Sequence, residues 1–334
     1  MIRINKNESP LRPLSAAQLA TLIQEASFNF YPDDEYERFK AAYAKYYNIS
    51  AAQVIAGNGS DELIQKLMLI MPKGPALTLN PDFFMYQAYA AQVDRPIEFV
   101  DAEPDLSFSL ERILQRIDEV QPAFFIMSNP HNPTGIQYST AFLQAISDKI
   151  KAIGGYFVID EAYLDFGESY ELTMQPHILQ MRTLSKAFGI AGLRLGVLIS
   201  TQNTIQQIQK LEHPYPLNTI TLHIAIYMFE HREMTTDFVN HQRQLALKLR
   251  QMFTDLVSDI MTVYPSATNF VLTKGDAAHN LGRYIKSNGF LPRLYDEPLM
   301  ADYVRYSIAT DEQLDELKEL IKNWRSQYDL SKNT

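Results

Sequence analysis

Two short apolar runs, AFFIMS (123–128) and YFVID (156–160), end in the polar clusters NPHNPTG and DEAY, and a segment of helical period separates them. Runs this short, dense in β-branched or aromatic residues, suit strands buried on both faces; the intervening helix makes them parallel. Apolar runs alternate with helical segments along much of the chain, which predicts an α/β fold with a mostly parallel central sheet flanked by helices. In such sheets ligands bind beyond the carboxyl ends of the strands, so both polar clusters stand where chemistry is expected. The segment DDEYERFKAAYAKYY places Phe39, Tyr43, Tyr46 and Tyr47 at helical spacing, with Asp33 or Asp34 available as an N-cap. After Pro214 and Pro216 the texture changes to long polar-faced helical segments, running to about Ile260, and then to a short mixed tail. The expected division is a large domain over 26–234 and a smaller α+β domain formed by 1–25 with 235–334.

Composition excludes several classes of function. A formal charge of -9 and a pI near 5.3 argue against a nucleic-acid partner, whose binding surface is basic. The apolar runs, such as LMLIM (67–71), are too short to span a bilayer, and MIRINKNESP has no leader-like apolar stretch. The chain has no cysteine, so it has no disulfide framework or thiolate chemistry, and a cytoplasmic location is expected. Neither HExxH nor GxSxG occurs, so metal-dependent and serine hydrolysis are disfavoured and no metal is expected. His131, in the turn HNPTG, is read as a supporting residue rather than a catalyst.

The segment GNGSDELIQKLMLI carries Gly57 and Gly59 after the strand-like QVIA, then Ser60 and Asp61 opening a helix with Leu63, Ile64, Leu67 and Met68 on one face. Glycines and unpaired N–H groups at a helix start suit an oxyanion, although a well-capped helix has the same appearance. Glu62 takes the place of the third glycine of a dinucleotide fingerprint, and the GK[ST] of a P-loop is absent. Asp160 closes an apolar run, where an ionised acid needs a cation or donors; capping a helix would also employ it. Asn132 and Tyr163 are each compatible with an ordinary turn or a half-buried aromatic.

Lys186 lies in TLSKAFGIAGLRLG, where Ala187, Gly189, Ala191 and Gly192 leave room for a ring. Desolvation, or a neighbouring cation such as Arg194, favours the neutral amine that condenses with a carbonyl. A surface lysine after a strand is the plainer alternative. Taken together, the lysine, the strand-end acid, the strand-end asparagine and the glycine-opened helix supply what pyridoxal phosphate requires.

These motifs occur in the order NKNESP, YPD, GNGSDE, NPDFFMY, SNPHNPTG, VIDEAY, TLSKAFGIAGLRLG, PYPLN, SATNFVL and VRYSIAT. Over nearly the whole chain this resembles a fold-type I pyridoxal-phosphate aminotransferase of the histidinol-phosphate aminotransferase family. The resemblance implies that Lys186 binds the cofactor aldehyde and then moves the substrate Cα proton, while Asp160 pairs with the pyridinium nitrogen. It implies that Asn132 and Tyr163 bond the phenolic oxygen and that Tyr86 stacks on the ring. Ser60, Asp61, Ser185 and Arg194 would hold the phosphate. Tyr31 would reach the phosphate of a neighbouring subunit, which makes the protein a homodimer.

Asn7 and Glu8 resemble part of the family's substrate strip. Arg305, opposite the face of Val304, Tyr306 and Ile308 on a strand, would anchor the substrate anion, with Arg293 as a second anchor. The implied reaction is transfer of an amino group from histidinol phosphate to 2-oxoglutarate. The chain begins almost at NKNESP, so the aromatic phosphate contact that relatives place before this strip is expected to be missing. An aromatic amino acid is therefore the alternative donor. A phosphothreonine decarboxylase shares many of the same site residues, and a non-catalytic DNA-bound regulator ranks last for want of a basic helix-turn-helix.

Overall fold

The computed structural model describes residues 1–332. From the N-terminus, β1 (Ile2–Ile4) leads to α1 (Ala16–Glu25) and α2 (Glu35–Tyr47). Ser15 caps α1 in a reciprocal capping box with Gln18. At α2 neither aspartate acts as expected: Asp34 occupies the cap position in a helical conformation with no side-chain bond. The neighbouring Asp33 N–H instead donates to Glu35 Oε2 at 2.6 Å. Phe39 and Tyr43 on this helix are fully buried, and Tyr46 and Tyr47 pack against the same core.

The alternating region builds β2 (Val54–Asn58), α3 (Gly59–Ile70), β3 (Ala76–Asn80), α4 (Met85–Gln92), β4 (Ile97–Asp101) and α5 (Leu110–Val120). It continues with β5 (Phe124–Ser128), α6 (Thr140–Ala152), β6 (Tyr156–Asp160), β7 (Ile178–Thr183), β8 (Leu195–Ile199) and α7 (Gln202–Ile208). Seven of these strands form one sheet in the order β2-β8-β7-β6-β5-β3-β4. Strands β4, β3, β5, β6 and β7 run parallel, and β8 is antiparallel to both of its neighbours. The two apolar runs pair in register, from Phe124 opposite Tyr156 to Ser128 opposite Asp160. Both faces of this sheet are buried, which is why these strands lack hydrophobic alternation.

The helices α8 (Thr219–Glu230) and α9 (Arg232–Val257) then carry the chain to β9 (Thr262–Val263), β10 (Phe270–Lys274), α10 (Asp276–Ser287), β11 (Phe290–Leu294), β12 (Tyr303–Ser307) and α11 (Asp311–Lys332). These strands make a second sheet, ordered β1-β11-β12-β10-β9, in which the N-terminal strand adds parallel to β11. That addition places the residues just after β1 between the two sheets: Asn7 bonds Ser307 of the second sheet and Tyr163 beside the first. Among the described residues, no helix is long and apolar enough to cross a membrane.

Candidate active site

Because β3, β5, β6 and β7 are parallel, their carboxyl ends open on one side of the sheet. The segments leaving those ends line a cavity of about 320 Å³ with Phe83, Asn132, Tyr163, Ser185 and Lys186 on its wall. Asp160, 4 % exposed, also reaches it, and Ser60, Asp61 and Arg194 close it from the start of α3 and the turn before β8. Glu8 lines the cavity from the N-terminal strip.

The Lys186 amine donates to the carbonyl of Lys6 at 3.0 Å. Desolvation draws its pKa down to about 8, and the positive charges of Arg305 and Arg194 act in the same direction. Burial pushes the Asp160 carboxyl up to about 7. Its oxygens accept from the Tyr86 hydroxyl at 2.8 Å and from the Ala162 N–H at 3.1 Å, and neither donor carries charge. A lysine prepared to lose its proton thus shares a cavity with an acid that lacks a cation.

The start of α3 depends on close backbone approach. Gly59 opens α3 at φ +84°, and a Cβ there would stand 2.5 Å from Arg194 Nη2. A Cβ on Gly196 would come within 2.4 Å of the Ser60 nitrogen, so only glycine lets β8 lie against the helix start. Arg194 Nη2 meets Asp61 Oδ2 at 2.6 Å, which places a guanidinium beside the free N–H groups of the first turn. Ser185 lies on the same wall, its N–H and Oγ both engaged by Thr183 Oγ1.

Arg305 joins the cavity through Asn132, donating from Nη1 to Asn132 Oδ1 at 2.6 Å and from Nη2 to the Asn5 carbonyl at 3.2 Å. Its Nε is buried without an acceptor among the described residues. Arg293 differs: it is half-exposed and pairs with Glu297 at 3.0 Å. Asn7 is 1 % exposed and donates to the Tyr163 hydroxyl at 2.8 Å. Tyr31 lies outside the cavity, 75 % exposed and stacked on Tyr215 with ring centroids 4.3 Å apart.

Tyr86 requires a correction. It is 1 % exposed, does not line the cavity, and sits behind Asp160 with its hydroxyl on the carboxylate. Phe83, three residues earlier in the turn before α4, is the aromatic that reaches the cavity wall. The motif NPDFFMY held both rings at i, i+3 spacing, and the structure separates them: Phe83 lies in the turn before α4 and lines the cavity, while Tyr86 lies on the helix and supports Asp160. Sequence reasoning also passed over Lys6, Asn5, Thr183 and Ser128, which act here through backbone or hydroxyl groups that carry no sequence signal of their own.

A model of the aminotransferase class I and II family matches residues 1–321. The chain belongs to that family. It is a pyridoxal-phosphate-dependent aminotransferase of fold-type I, and the cavity fits the cofactor: a condensable amine, a buried carboxyl without a cation, and a glycine-opened helix start beside an arginine. Curated relatives include the histidinol-phosphate aminotransferase of Clostridium novyi, 30 % identical over 96 % of this chain and 91 % of that protein. The enzyme of the same name from Pyrococcus furiosus is 30 % identical over 97 % of this chain and 92 % of its own length. Among solved structures, histidinol-phosphate aminotransferase from Sinorhizobium meliloti in complex with pyridoxal-5′-phosphate superposes with a TM-score of 0.82. It is 24 % identical and covers 98 % of this chain and 91 % of its own. L-threonine-O-3-phosphate decarboxylase from Porphyromonas gingivalis, 16 % identical with a TM-score of 0.77 over 97 % and 99 % of the two chains, shares the fold.

Proposed function

We propose that this aminotransferase moves the amino group of histidinol phosphate to 2-oxoglutarate, giving imidazole acetol phosphate and glutamate, in the cytoplasm and as a homodimer. The observation that carries the reading is Arg305, whose Nε is buried without an acceptor among the described residues and whose Nη1 donates to Asn132 on the wall of the cavity that holds Lys186. A guanidinium kept in this state is ready for a planar or tetrahedral oxyanion. The 30 % identity to the Clostridium novyi histidinol-phosphate aminotransferase supports a phosphorylated amine as its owner.

When bound, pyridoxal 5′-phosphate supplies an aldehyde for amine exchange and a ring that accepts the electrons released at the substrate Cα. The protein side of the reaction follows from the residues in place. Lys186, near neutrality at its lowered pKa, takes the proton from Cα and returns it on the other side of the exchange. Asp160 would hold the proton on the ring nitrogen, an arrangement that would also give this buried acid its cation. Asn132 and Tyr163 would bond the phenolic oxygen, and Phe83, which lines the cavity, would cover the ring face in place of Tyr86. The first turn of α3 with Ser60, Asp61, Ser185 and Arg194 would hold the phosphate. Arg305 anchors the anion of the donor, with Asn7 and Glu8 of the strip beside it and Arg293 further out.

The dimer reading rests on the exposed aromatics Phe28, Phe30 and Tyr31, which adjoin Tyr215 around a groove beside Asn58 at the start of α3. Contiguous apolar surface of this kind marks an interaction site. In that arrangement Tyr31 reaches the phosphate of the partner's site, 26–234 form the cofactor-binding unit, and 1–25 with 235–334 form the smaller one.

The test is single-turnover conversion by the cofactor-loaded protein without 2-oxoglutarate, with histidinol phosphate, phenylalanine and phosphothreonine offered separately. Stoichiometric imidazole acetol phosphate from the first, with no carbon dioxide from the third, is expected. Faster conversion of phenylalanine would make the chain an aromatic aminotransferase, and carbon dioxide release would make it a decarboxylase.

A further inference from the structure

We propose that Asp82 is a positioning residue for the cofactor-facing side of the cavity, holding Phe83 directly and Asn132 through Ser128. The inference rests on the reading of this cavity as the pyridoxal-phosphate site. Asp82 follows β3, and its side chain is 1 % exposed. Its Oδ1 accepts the Phe83 N–H at 2.7 Å and the Ser128 hydroxyl at 2.5 Å, and its Oδ2 accepts the Ser128 N–H at 3.0 Å. Ser128 Oγ in turn accepts the Asn132 N–H at 2.9 Å, and Asn132 Oδ1 accepts Arg305. One carboxylate therefore ties together the turn after β3, the end of β5 and the loop that carries Asn132.

The direction of these bonds explains why an acid stands here. Burial raises the Asp82 carboxyl to about 7, against which the bonds from Ser128 and Phe83 favour its ionised form; that form only accepts, so it takes all three donors together and forces the Ser128 hydroxyl hydrogen toward itself. That leaves the lone pairs of Ser128 Oγ facing the Asn132 N–H. An aliphatic side chain would strand three donors, and an amide would offer Ser128 a competing N–H. His131 lies close, with Nε2 at 3.8 Å from Oδ2, but its ring nitrogens are occupied by the Pro81 carbonyl and Thr134 Oγ1. Burial draws His131 down to about 4, so it stays neutral and does not take over the role of the serine. Asp82 touches neither the cavity nor a reacting atom. Its effect passes through the groups it holds.

The experiment is titration of the full-length, cofactor-free protein with pyridoxal 5′-phosphate, followed by absorbance. The series comprises the wild type, Asp82→Ala, Asp82→Asn, Ser128→Ala and the Asp82→Ala/Ser128→Ala double variant, each also melted without cofactor. A loss of about one hydrogen bond's strength predicts roughly ten-fold weaker Kd for Asp82→Ala and for Ser128→Ala. The double variant is expected to be no weaker than Asp82→Ala, because both act on one chain of bonds, and Asp82→Asn should fall between it and wild type. An unchanged Kd in Asp82→Ala, or losses that multiply in the double variant, overturns the proposal. Should Asp82→Ala not fold, unchanged Kd in both Asp82→Asn and Ser128→Ala does so. A wild type that fails to bind pyridoxal phosphate is a separate result, and it removes the function proposed above.

Discussion

Arg293 and Arg305 stand directly opposite each other on the adjacent antiparallel strands β11 and β12. Like charges so placed repel, and the protein relieves them unequally. Arg293 finds Glu297 and the ring of Tyr295, whereas Arg305, among the described residues, has only neutral carbonyl acceptors and the rings of Phe270 and Tyr295. An incoming anion thus gains most at Arg305. Arg305→Ala should raise the donor KM by about 10- to 100-fold while changing cofactor affinity far less. Arg293→Ala, which breaks an exposed pair, should change the same KM by no more than about three-fold. Steady-state kinetics on both variants check this, and equal effects would remove the distinction.

Lys186→Ala should lower kcat by at least about 1000-fold, and Lys186→Arg should do the same, since a guanidinium cannot serve as a base at these pH values. The lowered amine pKa gives a second test. In the cofactor-free protein the rate of reaction with pyridoxal phosphate should climb through pH of about 8, rather than through the ordinary lysine value of 10.5. A profile still rising steeply well above pH 8 would contradict the desolvated environment.

For Asp160 the sign of the pH effect follows from its pKa rising from 3.8 to about 7 on burial. Between those values the folded protein binds the proton more tightly than the unfolded chain does, so this group's contribution to stability falls as pH rises through the window. Asp160→Asn removes that titration. Without cofactor the variant should gain on wild type across the window, by on the order of 3 kcal/mol above it, yet bind pyridoxal phosphate more weakly. Denaturant melts at several pH values and a cofactor titration measure both halves. A variant less stable than wild type at every pH would refute the argument.

Behind the site, Arg182 and Glu161 form an ion pair at 2.7 Å, with the Glu161 side chain fully buried and the Tyr170 hydroxyl donating to the same carboxylate. Arg182 also lies over the ring of Tyr47, 4.6 Å from its centroid. This pair ties the end of β6 to β7, the strands that deliver Asp160 and Lys186. Arg182→Met strands a buried carboxylate and should cost about 3–5 kcal/mol, with partial recovery when Glu161→Leu is added. Thermal melting of the two variants tests it, and an unaltered melt for Arg182→Met would show the pair to be dispensable.

Phe28→Asp together with Phe30→Asp should shift the protein from dimer toward monomer in sedimentation. Tyr31→Phe should keep the dimer and weaken cofactor binding. Unchanged mass in the first variant would place the subunit contact elsewhere.

Local sequence determined a good deal of this protein. Apolar runs at AFFIMS and YFVID specify buried strands because both faces of a parallel sheet are covered, and the spacing of Leu63, Ile64, Leu67 and Met68 specifies the buried face of α3. The motif residues Lys186, Asp160, Asn132, Tyr163 and Ser60 were legible because each stands where a strand ends or a helix begins, and parallel topology gathers such positions on one edge. What the sequence left undecided is orientation. Phe83 and Tyr86 are both aromatic and three residues apart, but Phe83 stands in the turn before α4 and reaches the cavity, whereas Tyr86 on the helix turns toward Asp160. Arg293 and Arg305 look alike as residues, and the cross-strand register with Glu297 and Asn132 nearby separates them. The Asp33 and Asp34 caps failed for a related reason: Asp34 stands at the cap position in a helical conformation, and its side chain accepts no first-turn N–H. Periodicity records which face of an element is apolar, whereas the partner that each polar atom finds depends on chain segments distant in sequence. Those partners exist only once the two sheets have packed together.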